Sequence, residues 1–218
     1  MGMLCFKNGS LAREDIAKEL CNGDWKTFGE MLNTTPPGND GNIGFYYPTS
    51  EITPTTGSQG GFQRYDSTGN IVNGRFINPA HDVRAVVESK FLAMRYFGEG
   101  IGMDTSKARR IIATGGASNN LSILQVLSDV FECPVYTIEQ SDSASLGAAF
   151  RALHGHVCYI SKSFVKYEHV IPGDALGYTL VCSPKEGTAD IYANILPRFE
   201  RLQEQFTKEL LSQKMASK

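Results

Sequence analysis

The chain has 218 residues, of which 41% are hydrophobic and 20% charged, enough for one large domain to build an ordinary core without a metal or disulfide staple. Its 21 basic and 23 acidic side chains leave a net charge of −2, which excludes the broad basic field expected of a partner for nucleic acid or an anionic membrane. The five cysteines, Cys5, Cys21, Cys133, Cys158 and Cys182, are odd in number and form no C-x-x-C pair, so a reduced, cytosolic compartment fits better than a disulfide or zinc framework.

No run of 18 apolar residues is present, and the N-terminus lacks the basic and apolar regions of a secretory signal. Residues 4–7 are a short apolar start and read as a strand. Asn8-Gly9 turns the chain, Ser10 is placed to cap a helix carrying Leu11, Ile16 and Leu20, and Asn22-Gly23 ends it. Asp24 can cap a second helix with Trp25, Phe28 and Leu32 at helical spacing, broken by Thr35-Pro36-Pro37-Gly38. The aromatic-rich stretch 43–47 reads as a strand. Residues 53–79 are glycine-rich and irregular, a length that marks a functional loop or a concealed hairpin.

Asp82 is positioned to cap a strong helix whose stripe is Val83, Val86, Val87, Phe91 and Met94, with Gly98, Gly100 and Gly102 stopping it. Residues 110–114 form a continuous apolar strand, 119–131 a helix and 134–138 a second strand. Ser141 or Asp142 starts a further helix in which Ala144, Ala148 and Ala152 lie in line, small enough for close approach to a neighbour. The order β-α-β-α implies parallel strands joined by a right-handed crossover. Residues 156–186 carry no clear pattern. A last helix over about 188–213 follows from Ile191, Ile195, Phe199, Leu202, Phe206 and Leu210, with Pro197 expected to kink or divide it. The reading divides the chain into a lobe over 1–155 and an extension over 156–218 whose final helix packs on the lobe.

The chemistry concentrates at Thr114-Gly115-Gly116-Ala117-Ser118-Asn119-Asn120, where an apolar strand runs into two glycines and a helix. Backbone without Cβ atoms can approach a ligand, and Ser118, Asn119 and Asn120 can hydrogen-bond a base, ribose or phosphate. The bland alternative is a tight turn with a polar cap. A dinucleotide-binding unit with Glu139 as ribose partner is a rival, but Ser118 and Asn120 stand where G-x-G-x-x-G needs further glycines. His81-Asp82 at a helix start suggests an acid–base pair, although a capping role is the better account of Asp82. Trp25 is either core or a stacking surface. No metal-ligand cluster and no G-K-S/T loop appears.

Together these segments resemble the C-terminal part of the FGGY carbohydrate kinases, in particular those acting on xylulose. The matching runs are Leu4-Cys5-Phe6-Lys7-Asn8-Gly9-Ser10-Leu11, Gly44-Phe45-Tyr46-Tyr47, Glu51-Ile52-Thr53-Pro54, Asp82-Val83-Arg84-Ala85-Val86-Val87-Glu88, Ala113-Thr114-Gly115-Gly116-Ala117-Ser118, Asp129-Val130-Phe131, Pro134-Val135-Tyr136 and Ser145-Leu146-Gly147-Ala148-Ala149-Phe150-Arg151-Ala152.

The resemblance implies an α/β, actin-like (ribonuclease-H-like) ATPase lobe, the C-terminal domain of a two-domain sugar kinase. It implies ATP with Mg²⁺ as cofactor and transfer of a phosphoryl group to D-xylulose, giving D-xylulose 5-phosphate. A nucleotide-contacting role follows for Gly115 and Gly116 at the adenosine-binding turn, for Ser118, Asn119 and Asn120 beside it, and for Trp25, which matches a position flanking the nucleotide. The resemblance also implies a cytosolic enzyme, monomeric at full length, that binds neither nucleic acid nor membrane. The family's D-x-G-T phosphate motif and its catalytic aspartate have no counterpart in this sequence, so no catalytic residue and no protein metal ligand is expected in it. The sugar site and catalytic base are expected in the family's N-terminal portion, and the isolated chain is expected to be inactive. The contrasting expectation is a non-catalytic nucleotide-binding module or an interaction fragment.

Overall fold

The computed structural model describes residues 2–57, 60–138, 143–171 and 177–216, with side chains to residue 213. Helix α1 (Gly9–Cys21) follows a bend at residues 7–8, and Asp24 caps α2 (Trp25–Asn33) by accepting from the backbone N–H groups of Lys26 and Thr27. Strands β1 (Ile43–Tyr47) and β2 (Gly61–Tyr65) pair antiparallel, Ile43 opposite Tyr65 and Tyr47 opposite Gly61, which resolves part of the glycine-rich 53–79 stretch as a hairpin. Helix α3 (Ala80–Gly100) is 21 residues long and buried over most of its length. Strand β3 (Ile111–Ala113) leads through a 3₁₀ turn at Gly116–Asn119 into α4 (Leu121–Phe131), then β4 (Val135–Ile138). Helix α5 (Ser143–Ser161), strand β5 (Tyr178–Cys182) and α6 (Thr188–Ala216) complete the chain.

The core surrounds α3. Phe28 and Leu32 of α2, Phe45 of β1, Val83 and Val87 of α3, Val130 of α4 and Tyr192 and Phe199 of α6 belong to one buried cluster. The stripe that predicts the last helix is the stripe it buries, since Phe199, Leu202, Phe206 and Leu210 all join this core. The helix runs through Pro197 without ending there. Phe45 sits 5.3 Å from Phe199 and stacks on Phe206 at 5.6 Å, fixing α6 against the hairpin.

The second sheet has the order β3-β4-β5. β3 and β4 are parallel, as the β-α-β pattern predicts, and β5 adds antiparallel to β4. β5 lies in the 156–186 stretch where the sequence shows no pattern. Val135 and Cys182 pack with Leu124 of α4 on one side of this sheet, while Ile112 and Leu180 are 41% and 51% exposed on the other.

Several expectations need correcting. Residues 4–7 form no strand. Neither Ser10 nor Asp82 caps a helix: α1 begins at Gly9 and α3 at Ala80. Asp82 is fully buried inside the first turn of α3, accepting from the hydroxyl of Tyr46 at 2.8 Å, from Arg64 and from the N–H of Phe76. A carboxylate with three internal donors is a structural strut rather than a cap. The β3 strand is only partly buried. Ala144, Ala148 and Ala152 are exposed, so their small side chains do not line a buried helix contact. Glu139, Ser141 and Asp142 lie outside the described residues. No helix among the described residues is long and apolar enough to cross a membrane.

Candidate functional site

The site begins at the end of β3. Gly115 has φ +86° and ψ −178°, a backbone conformation that a side chain makes costly, so the turn requires glycine there. Gly116 differs: its φ is not positive, and a Cβ built on it meets nothing within 4 Å because it points into open space. The next residues close the turn. Ser118 donates its hydroxyl to the carbonyl of Gly115 at 2.6 Å and its N–H to the same oxygen at 3.0 Å.

Asn120 then serves two elements at once. Its Oδ1 accepts from the N–H of Ile123 and so caps α4, while its Nδ2 donates to the carbonyl of Trp25 at 3.0 Å and ties the turn to α2. Gly29 in the middle of α2 permits this approach. A Cβ there would stand 3.1 Å from Ser122 Oγ and 3.3 Å from Asn120 Nδ2. Asn33, one turn further along α2, donates to Ser122 Oγ at 3.0 Å and completes the seam.

The result is an open cleft of about 1010 Å³ between α1, α2 and the glycine turn. Trp25, Gly116, Asn119 and Asn120 line it. Trp25 is 41% exposed, leaning on Phe28 with ring centroids 5.3 Å apart, so its other surface is free. It is therefore not a core residue. Asn119 is exposed and its side chain has no hydrogen-bond partner among the described residues. Gly115 and Ser118 shape the turn but are not among the lining residues. Thus the sequence-predicted set divides: Trp25, Gly116 and Asn119 face the space, Asn120 faces it while already bonded, and Gly115 and Ser118 hold the turn from behind.

Sequence reasoning missed Ser10 and Arg13 on α1 and Gly29 and Asn33 on α2, which also line the cleft. Gly29 carried a usable signal, because a lone glycine inside a helical pattern usually marks close packing. His81 and Asp82 do not form an acid–base pair. His81 Nδ1 lies 2.8 Å from Asn39 Oδ1, and Asp82 turns inward to Arg64 and Tyr46. Among the described residues no group of three or more His, Cys, Asp or Glu side chains is arranged to hold a metal ion.

A second polar assembly sets where α1 enters. Glu51, buried, accepts from the N–H groups of Lys7 at 2.6 Å and Ile52 at 2.8 Å and from Lys90 Nζ at 3.1 Å. Burial pushes its carboxyl up, but the Lys7 N–H, the Lys90 ammonium and the Ile52 and Asn8 N–H groups outweigh that and hold it below the usual carboxylate value. Asn8, also buried, donates to the carbonyl of Thr49 at 3.0 Å and accepts from Thr49 N at 3.0 Å. These bonds fix the segment from which α1 departs, and hence one wall of the cleft.

A mixed α/β lobe with a small sheet, a glycine turn after its first parallel strand and a cleft at that turn is the architecture of the C-terminal domain of actin-like ATPases. The sequence matches the FGGY family of carbohydrate kinases, C-terminal domain, over residues 62–156. It is 40% identical over 204 residues to the xylulose kinase of Rattus norvegicus, covering 94% of this chain and 36% of that protein. It is 41% identical over 204 residues to xylulose kinase 2 of Arabidopsis thaliana, covering 89% of this chain and 36% of the relative. The crystal structure of ligand-bound xylulose kinase from Lactobacillus acidophilus superposes with a TM-score of 0.70 at 19% identity, over 92% of this chain and 38% of that one. The chain belongs to the FGGY family of carbohydrate kinases and corresponds to its C-terminal part. It spans little more than a third of the length of the curated relatives it matches.

Proposed function

We propose that this chain is the nucleotide-holding lobe of an ATP-dependent kinase that converts D-xylulose to D-xylulose 5-phosphate in the cytosol, the full-length enzyme acting as a monomer. One observation carries the reading: the glycine turn, the free surface of Trp25 and the unpartnered amide of Asn119 converge on one cleft of nucleotide size. In this reading Trp25 supplies a stacking surface for the base, Gly116 lets the ligand approach the backbone, and Asn119 offers a donor and an acceptor. Gly115, Ser118 and Asn120 keep the turn in the shape that makes this possible. The activity is inferred from the likeness to xylulose kinases, because the chain covers only part of their length.

Phosphoryl transfer is carried mainly by positioning and charge stabilisation. This chain contributes the positioning of the nucleotide. Mg²⁺ is assigned to the nucleotide phosphates, since the cleft offers no carboxylate cluster for it. Its two lining glutamates, Glu14 and Glu30, are exposed, and Glu30 lies 3.9 Å from Lys26. Neither is desolvated in the way a tuned general base would be, so the proton acceptor for the sugar hydroxyl is assigned to the family's other domain.

Calorimetric titration of the chain with ATP and ADP, with Mg²⁺ present, tests the reading. Saturable binding is expected, and Gly116→Val should abolish it by filling the cleft while leaving the fold intact, since that Cβ meets no protein atom. A folded chain that binds neither nucleotide would sink the proposal. The chain alone should form no xylulose 5-phosphate.

A further inference from the structure

We infer that Arg13 reads the phosphates of the bound nucleotide, a role that rests on the nucleotide reading above. Arg13 stands on the second turn of α1 and lines the cleft beside Ser10, Gly116 and Asn119. It is partly buried, and it is the one non-exposed arginine among the described residues that makes no hydrogen bond or ion pair. The others are all engaged: Arg64 with Asp82, Arg75 with Glu19, Arg84 with Glu88, Arg95 with Glu99 and Glu132, and Arg198 with the carbonyls of Gly41 and Asp66. A guanidinium carries five donors and stays charged, so leaving it partly desolvated and unpaired is unfavourable unless something else meets it.

Its surroundings do not supply that partner. Burial disfavours the charged form of Arg13, and the field of Glu14 opposes this only in part. Glu14 itself is exposed, and no ion pair joins the two. Ser10, one turn earlier on the same helix, lines the cleft with a hydroxyl that is unpartnered among the described residues. Arg13 lines an open cleft, and its planar fork of donors matches a phosphate, which it can meet with two parallel charge-assisted hydrogen bonds. The glycine turn, Trp25 and Asn119 offer a nucleoside surface and little positive charge, so a phosphate-bearing ligand gains over a bare nucleoside mainly through Arg13. The nearest other lining cation, Lys26, is directed to Glu30 on the exposed face of α2.

The test compares adenosine with ADP. Each is titrated against the wild-type chain, Arg13→Gln and Arg13→Lys, with thermal melting of each variant recorded. The expected result is that Arg13→Gln weakens ADP at least tenfold, leaves adenosine within twofold and melts as the wild type does. Arg13→Lys should fall between, keeping the charge but losing the fork. Equal weakening of adenosine and ADP would mean that Arg13 only supports the cleft wall, and unchanged ADP binding would mean that it contacts no phosphate; either overturns the assignment while leaving the nucleotide reading standing. Failure of the wild-type chain to bind both ligands overturns the nucleotide reading and this inference with it.

Discussion

The helical body around α3 and the three-stranded sheet draw on similar apolar residues but cover them differently. In the body, Phe28, Leu32, Val83, Val87, Tyr192 and Phe199 are all 0% exposed. Its ionic groups are buried with their partners, as in Arg84–Glu88 and Lys90–Glu51. In the sheet, one cross-strand row packs Val135 and Cys182 against Leu124 of α4, while in the next row Ile112 and Leu180 are exposed on either side of a half-buried Tyr136. The cleft forms where these regimes meet: α1 and α2 belong to the body, and the glycine turn hangs from β3. The body therefore supplies rigidity and the sheet edge supplies the space.

The largest test of this contrast is Phe199→Ala. Phe199 is fully buried against Phe45 and bridges α6 to the hairpin, so the substitution should destabilise the chain by about 3–5 kcal/mol in urea unfolding. A loss below about 1 kcal/mol would mean that α6 is not part of the same cooperative core.

Next comes Lys90→Met, which leaves Glu51 buried beside backbone N–H groups but without its cation. A loss of about 3 kcal/mol is expected, the low end for breaking a buried pair, because those N–H groups remain. The pH dependence has a definite sign. The folded-state pKa of Glu51 lies below its ordinary value, so its contribution is present above the carboxylate range and is lost as the pH falls through that range and below it. Glu51→Gln should flatten the acid limb of the stability curve; an unaltered slope would show that other carboxylates set it.

How much of this was legible in the sequence follows the same division. Helical stripes such as Phe199-Leu202-Phe206-Leu210 were legible because a body helix buries one face, and the cap at Asp24 and the turn at Gly115-Gly116 were legible because each depends on local chemistry. The roles of Asp82, Glu51 and Asn8 were not, because each has a partner far off in the chain, Tyr46, Lys7 and Thr49 respectively, 36 to 44 residues away, and a polar residue near a helix start reads first as a cap. β5 escaped because its burial pattern has no alternation, with Tyr178, Thr179 and Leu180 all exposed. Arg13 escaped because an arginine on an amphipathic helix looks like any solvated charge until its missing partner is noticed.

Asn120→Ala probes the boundary itself. It removes the cap of α4 and the bond to Trp25 together, so about 1–2 kcal/mol of stability should be lost, near the upper end for a cap. Nucleotide affinity should fall with it, because the turn and α2 are then no longer tied. Trp25→Ala separates the two effects: the half-exposed ring contributes little to the core, yet the loss of base stacking should weaken ADP and adenosine alike by roughly tenfold. If Trp25→Ala changed stability but not affinity, its ring would belong to the body rather than to the cleft.

The smallest expected effect is the most discriminating for the sheet. Leu180 is 51% exposed and sits opposite Tyr136 on the open row. Leu180→Thr introduces a strand-compatible, β-branched residue while removing apolar surface, so stability in dilute solution should change by no more than about 0.5 kcal/mol. Ile112 and Leu180, like Ala144, Ala148 and Ala152 of α5, are exposed. A loss of about 2 kcal/mol or more for Leu180→Thr, with a dependence on protein concentration, would show instead that this row is covered in solution by a second molecule. In that event the contrast between body and sheet would describe the single chain and not the species that unfolds.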